Sequence, residues 1–164
     1  MSTARRRVLW TDDDPPERYE YESYVLADEG WQVTWAPDVG TAARKLSEEH
    51  FDALILDQML PYDGLRAGDP LWNGCLLLRW LRGKGPPPAV ELDPEGGLSR
   101  LAPTADNRAI PTVVVSAFHD PNVEAAMRDA SADDRQISVV PKPIDMTALL
   151  DFLHGVRRRP ELSA

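Results

Sequence analysis

The sequence of 164 residues has little of what marks secreted, membrane-spanning and nucleic-acid-binding proteins. Cys75 is its only cysteine, so no disulfide can form within the chain. The apolar runs fall well short of the roughly 20 residues that cross a bilayer. The run nearest the N-terminus stops at Trp10, which is too early for a signal peptide. These absences favour a cytoplasmic protein that does not bind a membrane.

Positive charge is also scarce. The chain has 18 Lys and Arg residues against 27 Asp and Glu residues, and its formal net charge at pH 7 is −9. Nucleic-acid binding relies on clustered cations that displace counterions, so direct binding to nucleic acid is not expected. Two basic clusters, residues 5–7 and 157–159, are better explained as a solvated strand flank and as a helix C-terminus that favours cations.

The sequence does contain a regular alternation of short apolar strands and amphipathic helices. Its length suits one domain with an adequate core. Strands are predicted at residues 7–11, 31–35, 51–57, 110–116 and 137–140. Helices are predicted to begin near Pro15, Asp38, Gly74, Pro121 and Asp145.

This β-α order predicts an open, doubly wound α/β domain around a parallel sheet. Residues 53–56 are apolar without alternation, as expected for a central strand that helices cover on both faces. In such sheets, ligands bind at the carboxyl ends of the strands. Side chains that follow different strands can therefore meet although they are far apart in the sequence.

Polar and charged side chains follow four of the five predicted strands. A carboxylate at the end of a buried strand is costly unless a partner holds it there. Carboxylate oxygens suit Mg²⁺, a hydroxyl can donate to a phosphoryl oxygen, and an ammonium offsets negative charge. The pattern therefore predicts a divalent metal and a phosphoryl group at one edge of the sheet. The residues concerned are Asp12, Asp13, Asp14, Asp57, Ser116 and Lys142.

Five segments carry a resemblance to a known family. They are VLWTDDDP at residues 8–15, LILDQMLP at 54–61, NGCLLLR at 73–79, VVVSA at 113–117 and VPKP at 140–143. Together they resemble the CheY-like receiver domain of two-component response regulators. The resemblance spans nearly the whole chain apart from two insertions, at about residues 62–73 and 84–109.

The resemblance implies a flavodoxin-like fold with five parallel strands in the order 2-1-3-4-5. It implies that Asp57 accepts a phosphoryl group from a sensor histidine kinase or a histidine phosphotransfer protein. Mg²⁺ (or Mn²⁺) would bind to Asp13, Asp57 and the backbone carbonyl of Met59. Asp12 would assist, through water.

The resemblance also assigns the remaining residues and partners. Ser116 and Lys142 would contact the phosphoryl group, and the peptide between Lys142 and Pro143 would be cis. Such a protein is not an enzyme beyond taking up and losing its own phosphoryl group, and it signals through an unnamed downstream protein. One receiver domain would span residues 5–159 with no output domain, and the sequence is compatible with a homodimer.

The chain departs from the family pattern in two ways. The family usually has Tyr or Phe at the position of Val139, so the usual inward swing of an aromatic ring cannot occur here. Asp57 and Ser116 are about twice as far apart as usual because of the two insertions. The first insertion is expected beside the site, and the second at the opposite edge of the sheet.

Two alternatives from other classes stay open. One is a phosphatase of the haloacid-dehalogenase type, favoured by the Asp-x-Asp motif at Asp12 together with Ser116 and Lys142. Against it, the acidic pair of that family follows its lysine, whereas the pair at 133–134 precedes Lys142 here. The phosphatase alternative also gives Asp57 no role. The other is a receiver-like interaction module that is not phosphorylated.

Overall fold

The computed structural model describes residues 5–61, 70–85, 101–117, 120–130 and 137–156, apart from the side chains at 70–72, 123 and 130. Most of both predicted insertions, at 62–69 and 86–100, therefore lies outside the described residues. Within the described ranges, no helix combines the length and the apolar character needed to cross a membrane.

A five-stranded parallel sheet forms the centre of the molecule, in the order β2-β1-β3-β4-β5. This order confirms the predicted doubly wound, flavodoxin-like fold. The strands are β1 (Arg6–Thr11), β2 (Trp31–Ala36), β3 (Ala53–Asp57), β4 (Thr112–Ser116) and β5 (Ile137–Pro141). Their last residues define the carboxyl edge of the sheet, and their first residues define the amino edge.

Among the described residues, five α-helices connect and cover the strands. They are α1 (Glu20–Asp28), α2 (Val39–Glu48), α3 (Pro70–Leu81), α4 (Pro121–Ala130) and α5 (Met146–His154). Short 3-10 helices precede α1, at Pro16–Tyr19, and β4, at Ala105–Ala109. Helix α3 begins at Pro70, earlier than the predicted Gly74, and a proline is compatible with the first turn of a helix.

Local sequence signals determine where several helices begin and end. The Asp38 carboxylate accepts the Thr41 amide at 2.6 Å, and the Asp145 carboxylate accepts the Thr147 amide at 2.9 Å. Both aspartates were predicted as N-caps, since a side-chain oxygen can satisfy an amide of the first turn. Gly30, two residues after the end of α1, has a φ of 83°, a conformation that glycine adopts without steric cost.

Two apolar clusters pack on opposite faces of the sheet. Alternate residues of a strand point to opposite faces, so Leu54 and Leu56 of β3 face α2 and α3, while Ile55 belongs to the face covered by α1 and α5. All five residues of β3 are buried. This confirms its prediction as the central strand.

Asn107 lies at the amino edge of the sheet and hydrogen-bonds there to two other segments. Its side-chain carbonyl accepts the Phe51 amide at 3.1 Å, just before β3 begins. Its amide donates to the carbonyls of Leu46 and Glu49, at 2.8 and 2.6 Å, near the end of α2. The end of the long connection before β4 is thus tied to the amino edge.

Candidate functional site

The carboxyl edge brings together charged side chains from three strands. Asp12 follows β1, Asp57 ends β3 and Lys142 follows β5. The Lys142 ammonium donates to Asp12 Oδ2 at 2.9 Å and to Asp57 Oδ2 at 3.1 Å. The pairing of strands β1, β3, β4 and β5 thus creates a contact between residues far apart in the chain.

Three carboxylates form the acidic part of the site. Single oxygens of Asp12, Asp13 and Asp57 all lie within 4.8 Å of one another. Asp12 and Asp57 are almost fully buried, at 2% and 3% exposure, whereas Asp13 is exposed. One ammonium cannot balance three carboxylates at this separation. Oxygen donors with excess negative charge fit a hard divalent cation such as Mg²⁺, which usually binds through one or two carboxylates and keeps several waters.

Burial and mutual repulsion raise the pKa values of two of these carboxyl groups. Burial raises the pKa of Asp57 above its ordinary value, and the charge of Asp12 adds to the rise, although the Met59 amide and Lys142 oppose it. Burial likewise raises the pKa of Asp13, with a further contribution from Asp12. A cation bound between these groups would favour their ionised forms.

Lys142 is held in its charged form. Burial disfavours the ammonium, but hydrogen bonds and Coulomb attraction from Asp12 and Asp57 outweigh it, and the pKa of Lys142 lies above the usual lysine value. The lysine therefore stays protonated at physiological pH. Its peptide bond to Pro143 is cis, as the resemblance implied.

The loop after β3 holds Asp57 in place. The Met59 amide donates to Asp57 Oδ1 at 2.9 Å, and the Gln58 amide donates to the Val115 carbonyl at 3.0 Å. Gly74 lies so close that an added Cβ would stand 2.7 Å from the Asp57 carbonyl oxygen. Only glycine therefore fits at this position of α3. The Met59 carbonyl remains a predicted metal ligand.

Ser116 lies beside Lys142 at the end of β4. It is 8% exposed, and its carbonyl accepts the Lys142 amide at 2.8 Å. Both residues line a pocket of about 320 Å³, together with Gln58 and Val139. Within the described part of the chain, the buried Gln58 Nε2 has no hydrogen-bond partner. The predicted hydroxyl and ammonium thus share one pocket, and their contact with a phosphoryl group stays a prediction.

The structure adds Tyr19, a residue that the sequence did not single out. Its hydroxyl donates to Asp12 Oδ2 at 2.9 Å. A tyrosine hydroxyl usually needs a partner when it is buried, but no spacing rule connects it to an acid seven positions earlier.

No family model and no curated protein matches this sequence. Solved structures do match over nearly the whole chain. Chemotaxis protein CheY4 of Vibrio cholerae has 19% identity and a TM-score of 0.63, covering 94% of this chain and 100% of its own. The receiver domain of a signal transduction histidine kinase from Syntrophus aciditrophicus has 23% identity and a TM-score of 0.62, with 97% and 98% covered.

A third similar structure contains a metal. It is the receiver domain of a sensor histidine kinase from Pseudomonas aeruginosa, with a magnesium ion coordinated in its active-site cleft. It has 18% identity and a TM-score of 0.61, covering 93% of this chain and 98% of its own. The chain therefore has the CheY-like fold of response regulator receiver domains.

Proposed function

We propose that this chain is a response regulator receiver domain that accepts a phosphoryl group on Asp57. The observation that carries the proposal is the Lys142 ammonium, which bridges Asp57 and Asp12. Lys142 also lines a pocket with Ser116. The domain would occupy residues 5–159 as a single unit. The donor would be a histidine kinase or a histidine phosphotransfer protein.

The reaction transfers the phosphoryl group from a phosphohistidine to a carboxylate. An oxygen of Asp57 attacks phosphorus, a P–O bond forms, the P–N bond breaks, and the histidine leaves with the bonding electrons. The Met59 amide holds the Asp57 carboxylate in one orientation through its 2.9 Å hydrogen bond. Orientation of this kind lowers the entropic part of the barrier.

Mg²⁺ would offset the repulsion between an anionic carboxylate and an anionic phosphoryl group. Asp13, Asp57 and the Met59 carbonyl would hold it, with Asp12 acting through water. The clustered oxygens of Asp12, Asp13 and Asp57 support this assignment. So does the magnesium ion in the cleft of the similar Pseudomonas receiver domain.

Phosphorylation would change the surface around β4, α4 and β5. The new phosphoryl group adds negative charge and acceptor oxygens, and Ser116 and Lys142 would contact it. Converting a mostly inactive population to a mostly active one requires about 5.5 kcal/mol of differential interaction. With Val139 in place of an aromatic residue, the response would run through the backbone after Ser116 and not through a ring.

The phosphatase alternative fits the site poorly. It requires Asp14 at the reacting centre, but the Asp14 carboxylate pairs with Arg18 at 3.3 Å and accepts from Tyr19 at 3.4 Å. Asp57, which has no role in that alternative, contacts Lys142 instead. The interaction module without phosphorylation is tested by the experiment that follows.

The test of the proposal is phosphorylation by acetyl phosphate with Mg²⁺, followed by intact-mass measurement. We expect the wild-type chain to gain one phosphoryl group, and Asp57→Asn to gain none because the amide is not a nucleophile. Asp151→Asn, at an exposed position of α5, is the control and should label like wild type. Normal labelling of Asp57→Asn would refute the site, and an unlabelled wild type would favour the interaction module.

A further inference from the structure

Asp12 has most of its hydrogen-bonding capacity occupied by the protein. Its Oδ1 accepts the Asp14 amide at 2.9 Å. Its Oδ2 accepts both the Lys142 ammonium and the Tyr19 hydroxyl, each at 2.9 Å. Because each carboxylate oxygen offers about two lone-pair sites, Oδ2 is filled and one site remains on Oδ1.

The Tyr19 ring is fixed in position by two tryptophans. Its centroid lies 4.9 Å from that of Trp10 and 5.9 Å from that of Trp35, and these two indoles stack at 4.7 Å. Trp10 lies on β1, and Asp12 directly follows that strand, so β1 positions both the tryptophan beside the ring and the acid. Tyr19 itself is 7% exposed. The hydroxyl therefore cannot swing away from Asp12 without breaking the aromatic stack.

The hydroxyl is a hydrogen-bond donor toward Asp12. Burial raises the pKa of Tyr19 above the ordinary tyrosine value, and its hydrogen bond to the Asp12 carboxylate raises it further. Asp12 Oδ2, at 2.9 Å, is the nearer acceptor of this O–H group, and Asp14 Oδ2 lies at 3.4 Å.

We propose that Tyr19 is a positioning residue for the divalent cation. By occupying Oδ2 together with Lys142, it orients the Asp12 carboxylate so that only Oδ1 is left for the cation or for one of its waters. Asp13 and Asp57 supply the other two carboxylates of the cluster. The inference rests on the proposed function, because it assumes that the acidic cluster binds Mg²⁺.

The experiment is a calorimetric titration of the full chain with Mg²⁺. Tyr19→Phe removes the hydroxyl and keeps the ring between the tryptophans. We expect its dissociation constant for Mg²⁺ to rise about tenfold, the lower end of the usual effect of removing a group that orients a metal ligand. The controls are a thermal melt of the metal-free variant, which should stay cooperative, and Tyr21→Phe, at a 68% exposed position, which should bind like wild type.

A double-mutant cycle with Asp12→Asn shows whether Tyr19 acts through Asp12. In that background, Tyr19→Phe should cause no further loss of Mg²⁺ affinity. Unchanged affinity in Tyr19→Phe alone, or an equal loss with and without Asp12, would overturn the inference while acetyl phosphate labelling of wild type remained normal. Wild-type protein that binds no Mg²⁺ would instead remove the metal site and this inference together.

Discussion

The two edges of the sheet bury polar groups in opposite ways. At the amino edge, Asn107 is fully buried and neutral, with its donors and its acceptor all engaged by backbone groups. At the carboxyl edge, Asp12 and Asp57 are buried as neighbouring charges with one lysine between them. There too the Nε2 atom of Gln58 is buried without a partner among the described residues.

This difference distinguishes buried polar groups that stabilise the fold from buried charges that serve the proposed function. A neutral buried group with every hydrogen bond made strengthens the fold and specifies one arrangement. Buried like charges cost free energy, and a site of this kind persists where function needs it. Substitutions at the amino edge should therefore change stability alone, while those at the carboxyl edge should alter cation binding and phosphorylation as well as stability.

The largest effect on the free energy of unfolding is expected for Lys142→Met. Removing the ammonium leaves the two buried carboxylates of Asp12 and Asp57 without a balancing charge, which should lower the free energy of unfolding by about 4 kcal/mol. Urea denaturation at pH 7 without metal measures this, and saturating Mg²⁺ should restore part of the loss. Lys84→Met, at an exposed lysine, is the control and should change stability by less than about 0.5 kcal/mol. A Lys142→Met protein as stable as wild type would show that the lysine does not balance the acids.

A somewhat smaller loss of stability is expected for Asn107→Ala. The change leaves the Phe51 amide and the carbonyls of Leu46 and Glu49 without their partner, and unfolding should become easier by about 3 kcal/mol. The same denaturation experiment measures it, with the exposed Asn122→Ala as a nearly neutral control. Mg²⁺ affinity should not change. A loss of affinity in Asn107→Ala would mean that the two edges are coupled.

The smallest effect is a gain of stability in Asp57→Asn. Because burial raises the folded pKa of Asp57 above its unfolded value, the folded state holds the proton more tightly. The group therefore destabilises the fold above its raised pKa, and the penalty fades as pH falls toward the ordinary value of 3.8.

At pH 7 without metal, Asp57→Asn should be more stable than wild type, because the amide removes the cost of burying a second charge beside Asp12. The gain should shrink on acidification and in saturating Mg²⁺, which favours the ionised carboxylate. Thermal melts across pH 4 to 7 measure it, with Asp151→Asn as the control. A variant less stable than wild type at pH 7 would indicate that the bond to Lys142 outweighs the cost of burying the charge.

Much of the fold and the outline of the site could be predicted because they depend on local patterns. The unbroken apolar run before Asp57 identified the central strand, and Asp38 and Asp145 marked helix starts. Because parallel strands end at the same edge, the positions of Asp57 and Lys142 after their strands were enough to predict that they meet. The earlier start of α3, at Pro70, was missed because helix ends are only weakly encoded in local sequence.

Two residues could not be assigned from sequence. Asn107 lies at the end of a long connection rich in proline and glycine, where a polar side chain is expected to face water. Tyr19 looks like one more packing aromatic near α1. Each takes its role from partners on other elements: Asn107 from the end of α2 and the start of β3, and Tyr19 from the acid after β1 and the indoles of β1 and β2.

The amino-acid sequence by itself determined the order of the strands and helices and which side chains reach the carboxyl edge, because hydrophobic periodicity and strand direction are local properties. The tertiary structure alone decided which oxygen of Asp12 is occupied, how closely Gly74 approaches Asp57 and where Asn107 is buried. These contacts join residues that no local pattern relates, so they exist only once the sheet and its helices have packed.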